Sequence, residues 1–174
     1  MEVFDLVDSE GNIIGETTRD EAHSDPSLIH PVVHSWIFNR KGQVLLQQRS
    51  LQKKIHPGMW DMSVGGHLSK GDTAKDGLRR ELAEELNITD YSAELIRTYV
   101  RGKEYETEFI YLYHVSLVDD NQQFTMQTEE VEQVRWFDLA EVYVALRDST
   151  MELTPSIAEQ LPQVMQYLIA KAVS

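Results

Sequence analysis

The sequence predicts a mixed fold of strands and helices, α/β in the α+β sense, built as one domain over residues 1–174. Three observations predict it. Short runs of β-branched and aromatic residues alternate with helical patterns, and such elements pack as layers around one core. The length of 174 residues suits one domain, since most domains hold about 100–200 residues. The 9 Gly and 5 Pro are scattered, with no repeat and no linker to divide the chain.

The elements follow in order. Residues 3–18 alternate apolar and polar around Ser9, Glu10, Gly11 and Asn12, which reads as a β-hairpin at the head of an N-terminal region spanning 1–28. Residues 19–23 suit a short helix and 28–31 a loop. Residues 32–38 are β-rich, Asn39 to Gly42 reads as a turn, and 43–49 as the return strand. Residues 50–61 are irregular, broken at Pro57 and Gly58. A short glycine-rich piece, 62–68, precedes the clearest helix, 73–86. Strands are expected at 94–101, 108–117 and 133–137. A helix capped by Asp138 follows at 138–147, and a C-terminal helix at 155–172 carries Leu161, Val164, Met165 and Leu168 on one stripe. That stripe covers the chain's own sheet or serves a homodimer.

Composition narrows the function. Lys and Arg number 16 and Asp and Glu 29, a net charge of −13, which repels phosphate backbones and argues against nucleic acid as a partner. There is no Cys, hence no thiolate nucleophile and no Cys-ligated metal. No apolar stretch approaches the roughly 18 residues of a membrane span. The first residues lack the basic start and apolar run of a signal peptide, so a cytoplasmic location is expected.

The helix at 73–86 places acids on its buried side. Ala74, Leu78, Leu82 and Leu86 recur every four residues. At about 100° per residue, with Glu81 at 0°, Leu78 falls near 60°, Leu82 near 100° and Glu85 near 40°. Glu85 therefore lies inside the apolar arc, Glu81 at its edge and Glu84 about 60° beyond. Like charges three and four residues apart repel, and burial sharpens the conflict. A divalent cation on an oxygen-rich face resolves it; a solvated acidic face is the alternative. The loop ahead, with Gly65, Gly66 and Gly71, allows close backbone approach to a ligand.

Loop and helix together resemble the Nudix box, G-x5-E-x7-R-E-U-x-E-E-x-G-U, where U is a bulky aliphatic. Here the box runs from Gly66 through Asp72, Arg80, Glu81, Leu82, Glu84, Glu85 and Asn87 to Ile88, matching seven of nine specified positions. Asp72 stands for the first Glu, one methylene shorter, and Asn87 for the second Gly. Asn is the next best residue for a left-handed helix end. Weaker similarity runs from Leu28 to Arg147. The stretch from Trp60 to His67 resembles the isopentenyl diphosphate isomerase branch, but Gly65 stands where that enzyme has its active-site Cys.

The resemblance implies an α/β/α sandwich with a central mixed sheet and an N-terminal hairpin extension. It implies a hydrolase that cleaves a diphosphate bond in a nucleoside diphosphate linked to another moiety. Glu81, Glu84 and Glu85, with the Gly66 carbonyl, are its implied Mg²⁺ (or Mn²⁺) ligands. Arg80 orients a glutamate, and Glu84 or Glu130 is the implied base. Arg49 and Lys54 are the candidates for a phosphate. The implied partner is a small phosphorylated substrate, the protein being a monomer or homodimer. A nucleotide-binding regulator on the same fold and a cysteine-less isomerase are the rival readings. His67 and Trp60 read as structural.

Overall fold

In a computed structural model, residues 2–119 and 121–173 are described. The chain opens with β1 (Val3–Val7) and β2 (Ile13–Thr18), a hairpin closed by residues 8–12, where Gly11 takes a positive φ of 85°. Helix α1 (Arg19–Ala22) follows, with Thr18 and Glu21 forming a reciprocal capping box. Then come β3 (Ile29–Phe38), β4 (Val44–Arg49), β5 (Trp60–Asp61), β6 (Val64–His67) and α2 (Ala74–Leu86). The chain continues through β7 (Tyr91–Gly102), β8 (Thr107–Leu117), β9 (Val131–Phe137), α3 (Leu139–Asp148) and α4 (Pro155–Val173).

Strand β3 is the hub of one mixed sheet. It runs parallel to β8 over ten residue pairs and antiparallel to β1, β4 and β6. Its side chains alternate between two cores. Val32, Trp36 and Phe38 meet α3 and α4 through Val142, Ile157, Leu161 and Val164. Val33 and Ile37 meet α2 through Leu78, Leu82 and Leu86. The result is the expected α/β/α sandwich. The apolar stripe of α4 packs on its own sheet. Among the described residues no helix is long and apolar enough to cross a membrane.

Two expectations need correction. Residues 28–31 are not all loop, because β3 begins at Ile29. Pro31 hides this in the sequence, yet it pairs in register with Phe109, between the single bridge to β1 and the β6 ladder that starts at Val32. The return strand β4 is confirmed, and it shares two residue pairs with β3 on one side and six with β9 on the other. Asp138 holds the N-cap position of α3, but its carboxylate makes no capping bond.

Candidate active site and a histidine cluster

Helix α2 carries the box acids, and its ends are fixed locally. Thr73 caps its start by accepting from the Asp76 amide. Asn87 takes a left-handed conformation at its end, φ 56°, and its N–H donates to the Ala83 carbonyl. Asn therefore does the work of the box glycine. As the helical angles require, Glu81 and Glu85 are buried while the Glu84 side chain stays 56% exposed.

Glu85 is the most constrained of the three. Its Oε2 is buried without a hydrogen-bond partner, as is the Oε1 of its neighbour Gln47. Burial, then the charges of Glu81 and Glu130, push its pKa well above the usual carboxylate range. Burial also raises Glu81, opposed by Arg80. Gly66 is required by contact: a Cβ there would stand 2.1 Å from the Glu81 carboxyl carbon. These carboxylates crowd against the β6 backbone with an oxygen unpaired, which is what a hard divalent cation would satisfy.

Arg80 organises the group. It donates to Glu81 at 2.5 Å, to Asp72 at 3.1 Å and to the His67 carbonyl at 2.9 Å, with Glu84 at 3.8 Å. Asp72 reaches it despite its shorter side chain, because a tight turn, the Asp72 amide donating to the Ser69 carbonyl, draws its backbone in.

The acidic loop after β8 is pinned to the C-terminal end of α2. The Gln127 amide donates to the Glu85 carbonyl at 3.1 Å and the Thr125 amide to the Leu86 carbonyl at 3.3 Å. This brings Glu130 near enough to act on Glu85. Glu130 is ion-paired with Lys53, while Lys54, the basic residue singled out in the sequence, is exposed. Arg49 is engaged with Asp61 at 3.3 Å and with the Ile55 carbonyl at 3.1 Å, tying the 50–59 loop to β5. Trp60 is half-buried, edge-on to Phe137.

One group escaped sequence reading. His23 at the end of α1, His30 on β3, His67 on β6 and Glu106 just before β8 converge, their ligand atoms all within 4.8 Å of one another. His23 Nε2 lies 3.0 Å from His67 Nε2 and 3.3 Å from Glu106 Oε2. His30 is fully buried, and neither ring nitrogen has a partner. Burial lowers the pKa of all three histidines, favouring neutral rings able to ligate. Phe4, fully buried, stacks on His67 at 4.8 Å and on His30 at 5.4 Å. The hairpin holding Phe4 is clasped to the box loop: the Lys70 amide donates to the Val3 carbonyl, and the Gly71 amide to Asp5, both at 2.9 Å. The four residues span 84 positions with no local spacing to announce them. The one available signal was His67 directly after the box glycine.

The family model of the NUDIX domain matches residues 28–160. The chain belongs to the Nudix hydrolase family. An uncharacterised Nudix hydrolase of Listeria innocua, lin0387, is 35% identical, with 86% of each chain covered. An isopentenyl-diphosphate Delta-isomerase of Shigella boydii is 30% identical, over 89% of this chain and 87% of the other. The match to the Nostoc protein all7351, an uncharacterised Nudix hydrolase, is 41% identical but spans about half of either protein, 51% of this chain and 52% of that one. Among solved structures, DR0079 of Deinococcus radiodurans shares the fold, with a TM-score of 0.78 at 22% identity, over 93% of this chain and 98% of that one. The Nudix domain of NrtR from Shewanella oneidensis, solved with ADP ribose, aligns with a TM-score of 0.64 at 22% identity, covering 87% and 99%.

Proposed function

We propose that this Nudix hydrolase cleaves the diphosphate bond of a nucleoside diphosphate derivative with the aid of Mg²⁺ or Mn²⁺. The observation that carries the reading is the buried, unpartnered Glu85 oxygen beside Glu81, whose carboxyl group fills the space a side chain at residue 66 would need. Glu81, Glu84 and Glu85, with the Gly66 carbonyl, would hold the ion. An ion held there would supply charge to neutralise the diphosphate and to make water more acidic. Arg80 fixes Glu81 with Asp72 as its anchor. Glu130 accepts the proton of the attacking water; the water oxygen bonds to phosphorus and the bridging P–O bond breaks. Arg49 and Lys54 are assigned the substrate phosphates. Support for a nucleotide-like substrate comes from NrtR, a protein of the same fold solved with ADP ribose.

The histidine cluster is a second centre on this reading. Three imidazoles and a carboxylate suit a borderline transition ion such as Zn²⁺ or Co²⁺ better than Mg²⁺. The unpartnered nitrogens of His30 support it.

An isomerase is the weaker reading, despite the relatives that carry that name. Gly65 offers no thiol, and a Cβ there would meet Met62 Cε at 2.9 Å and His34 at 3.3 Å. The test is a panel of nucleoside diphosphate derivatives and prenyl diphosphates, assayed with Mg²⁺ and with EDTA, beside Glu85→Gln. Metal-dependent release of phosphorylated products, lost in the variant, is expected. Prenyl isomerisation would favour the isomerase. Ligand binding without turnover would favour a regulator, and full activity in Glu85→Gln would end the proposed metal role.

A further inference from the structure

We propose that Gln47 on β4 is a further ligand of the ion at the α2 centre, through its side-chain carbonyl oxygen, and that this ion is resident before substrate arrives. This rests on the reading of Glu81 and Glu85 as metal ligands. Among the described residues, five buried side-chain atoms have no hydrogen-bond partner. Two are the ring nitrogens of His30 and one is on Gln163 of α4. The remaining two, Gln47 Oε1 and Glu85 Oε2, belong to neighbouring side chains. Both are acceptors, so neither can satisfy the other. One cation serves both.

Strand alternation explains the placement. Leu45 packs under α2, and Gln47, two residues on, points to the same face of β4. There its amide group donates to the Glu85 carboxylate. Gln47 is only 6% exposed. An amide oxygen buried without a donor is costly, and an apolar residue would suit the underside of a helix better. Asp61, directly across the β4–β5 pair, is not a rival ligand. Its oxygens already accept from Thr154 Oγ1 at 2.6 Å, the Met62 amide at 2.9 Å and Arg49 at 3.3 Å. Carboxylates joined by the neutral oxygens of Gln47 and Gly66 form a donor set that suits Mg²⁺ and Mn²⁺. Gln47 adds an oxygen without adding charge where Glu81, Glu85 and Glu130 already repel one another. Glu84 is left toward solvent, while Gln47 and Glu85 are enclosed, so the inner oxygens need an ion whether or not substrate is bound.

The full chain is titrated with Mn²⁺ in the absence of substrate, free ion being followed by electron paramagnetic resonance and bound ion by water proton relaxation. Glu85→Gln marks the binding that belongs to this centre. Binding lost in Glu85→Gln is expected. In Gln47→Met the affinity should fall at least about tenfold, and relaxation per bound ion should rise as water takes the place of the lost oxygen. Gln47→Glu, which keeps an oxygen and gives up the amide donor, should bind Mn²⁺ at least as tightly as the unaltered chain, and it carries the test if Gln47→Met folds poorly. Absence of any Glu85-dependent binding would overturn the resident ion and the proposed metal role together. Glu85-dependent binding that is unchanged in Gln47→Met would overturn the role of Gln47 alone. Weakened binding in Gln47→Glu would show that Gln47 acts as a donor to Glu85 and not as a ligand. Binding as expected with no hydrolysis of the diphosphate panel would overturn the hydrolytic reading and leave Gln47 a ligand.

Discussion

Replacing Glu85 with Gln should stabilise the metal-free protein while abolishing its metal response. Two buried acceptors, Glu85 Oε2 and Gln47 Oε1, lack donors on neighbouring side chains. A Gln at 85 brings an amide donor into that gap and removes a charge from a buried, acid-rich place. A buried polar group left unsatisfied costs about 1–3 kcal/mol. For a chain of this size each kcal/mol moves the melting temperature by about 2–4 °C, so the variant should melt about 2–12 °C higher in EDTA at pH 8. The pH dependence has a definite sign. Burial raises the folded-state pKa of Glu85 above its ordinary 4.5, so the folded protein retains a proton that the unfolded chain releases. Stability is therefore lost as pH rises from the unfolded value through the folded one, and the variant escapes that loss. The gap between the two proteins should be wide at pH 8 and narrow near pH 4, below the unfolded value. Mg²⁺ should raise the melting temperature of the original chain and leave Glu85→Gln nearly unmoved. Thermal melts by circular dichroism, with EDTA and with Mg²⁺, make the comparison. A Glu85→Gln protein that melts below its parent in EDTA at pH 8 would refute the reasoning, since the carboxylate would then already be satisfied without a cation.

Two further outcomes follow from the same geometry. Gly66→Ala should keep the fold but displace Glu81, since its Cβ would stand 2.1 Å from the carboxyl carbon; activity should fall at least about tenfold, and a variant with the parent's Mg²⁺ response would contradict this. His34, buried and held down to about 3 by desolvation, stays neutral while the unfolded chain protonates near 6.5. The unfolded state binds the extra proton, so stability should drop below that pH by up to about 1.4 kcal/mol per unit. In His34→Gln the fall of the urea midpoint between pH 7 and 5 should be shallower, and an equal fall would discount the histidine.

What the sequence reveals is what is local. The acids of α2 and the left-handed Asn87 lie within one helix and its end, so periodicity and the box spacing disclose them, and the resemblance adds Arg80 beside a glutamate. The exposure of Glu84 against the burial of Glu81 and Glu85 follows from helical angles alone. The pairing of β3 with β8 was hidden, because it joins Ile29 to Thr107, 78 positions apart, and passes through a proline. The histidine cluster was hidden for the same reason: its four residues reside on separate elements, and only tertiary packing assembles them. Between Lys53 and Lys54, adjacent residues of like chemistry, a difference of one position decides which meets Glu130, and no pattern in an irregular loop resolves that.

The clasp between the N-terminal hairpin and the box loop bears on modularity. The stretch recognisable as NUDIX starts at residue 28, yet Phe4, Asp5 and His23 lie ahead of it. A graft or truncation cut at that boundary would carry every box carboxylate and still arrive without one wall of the histidine cluster, one of its imidazoles and the strap on the box loop. The portion of this chain that can be transplanted intact is therefore larger than the portion by which its kinship is detected.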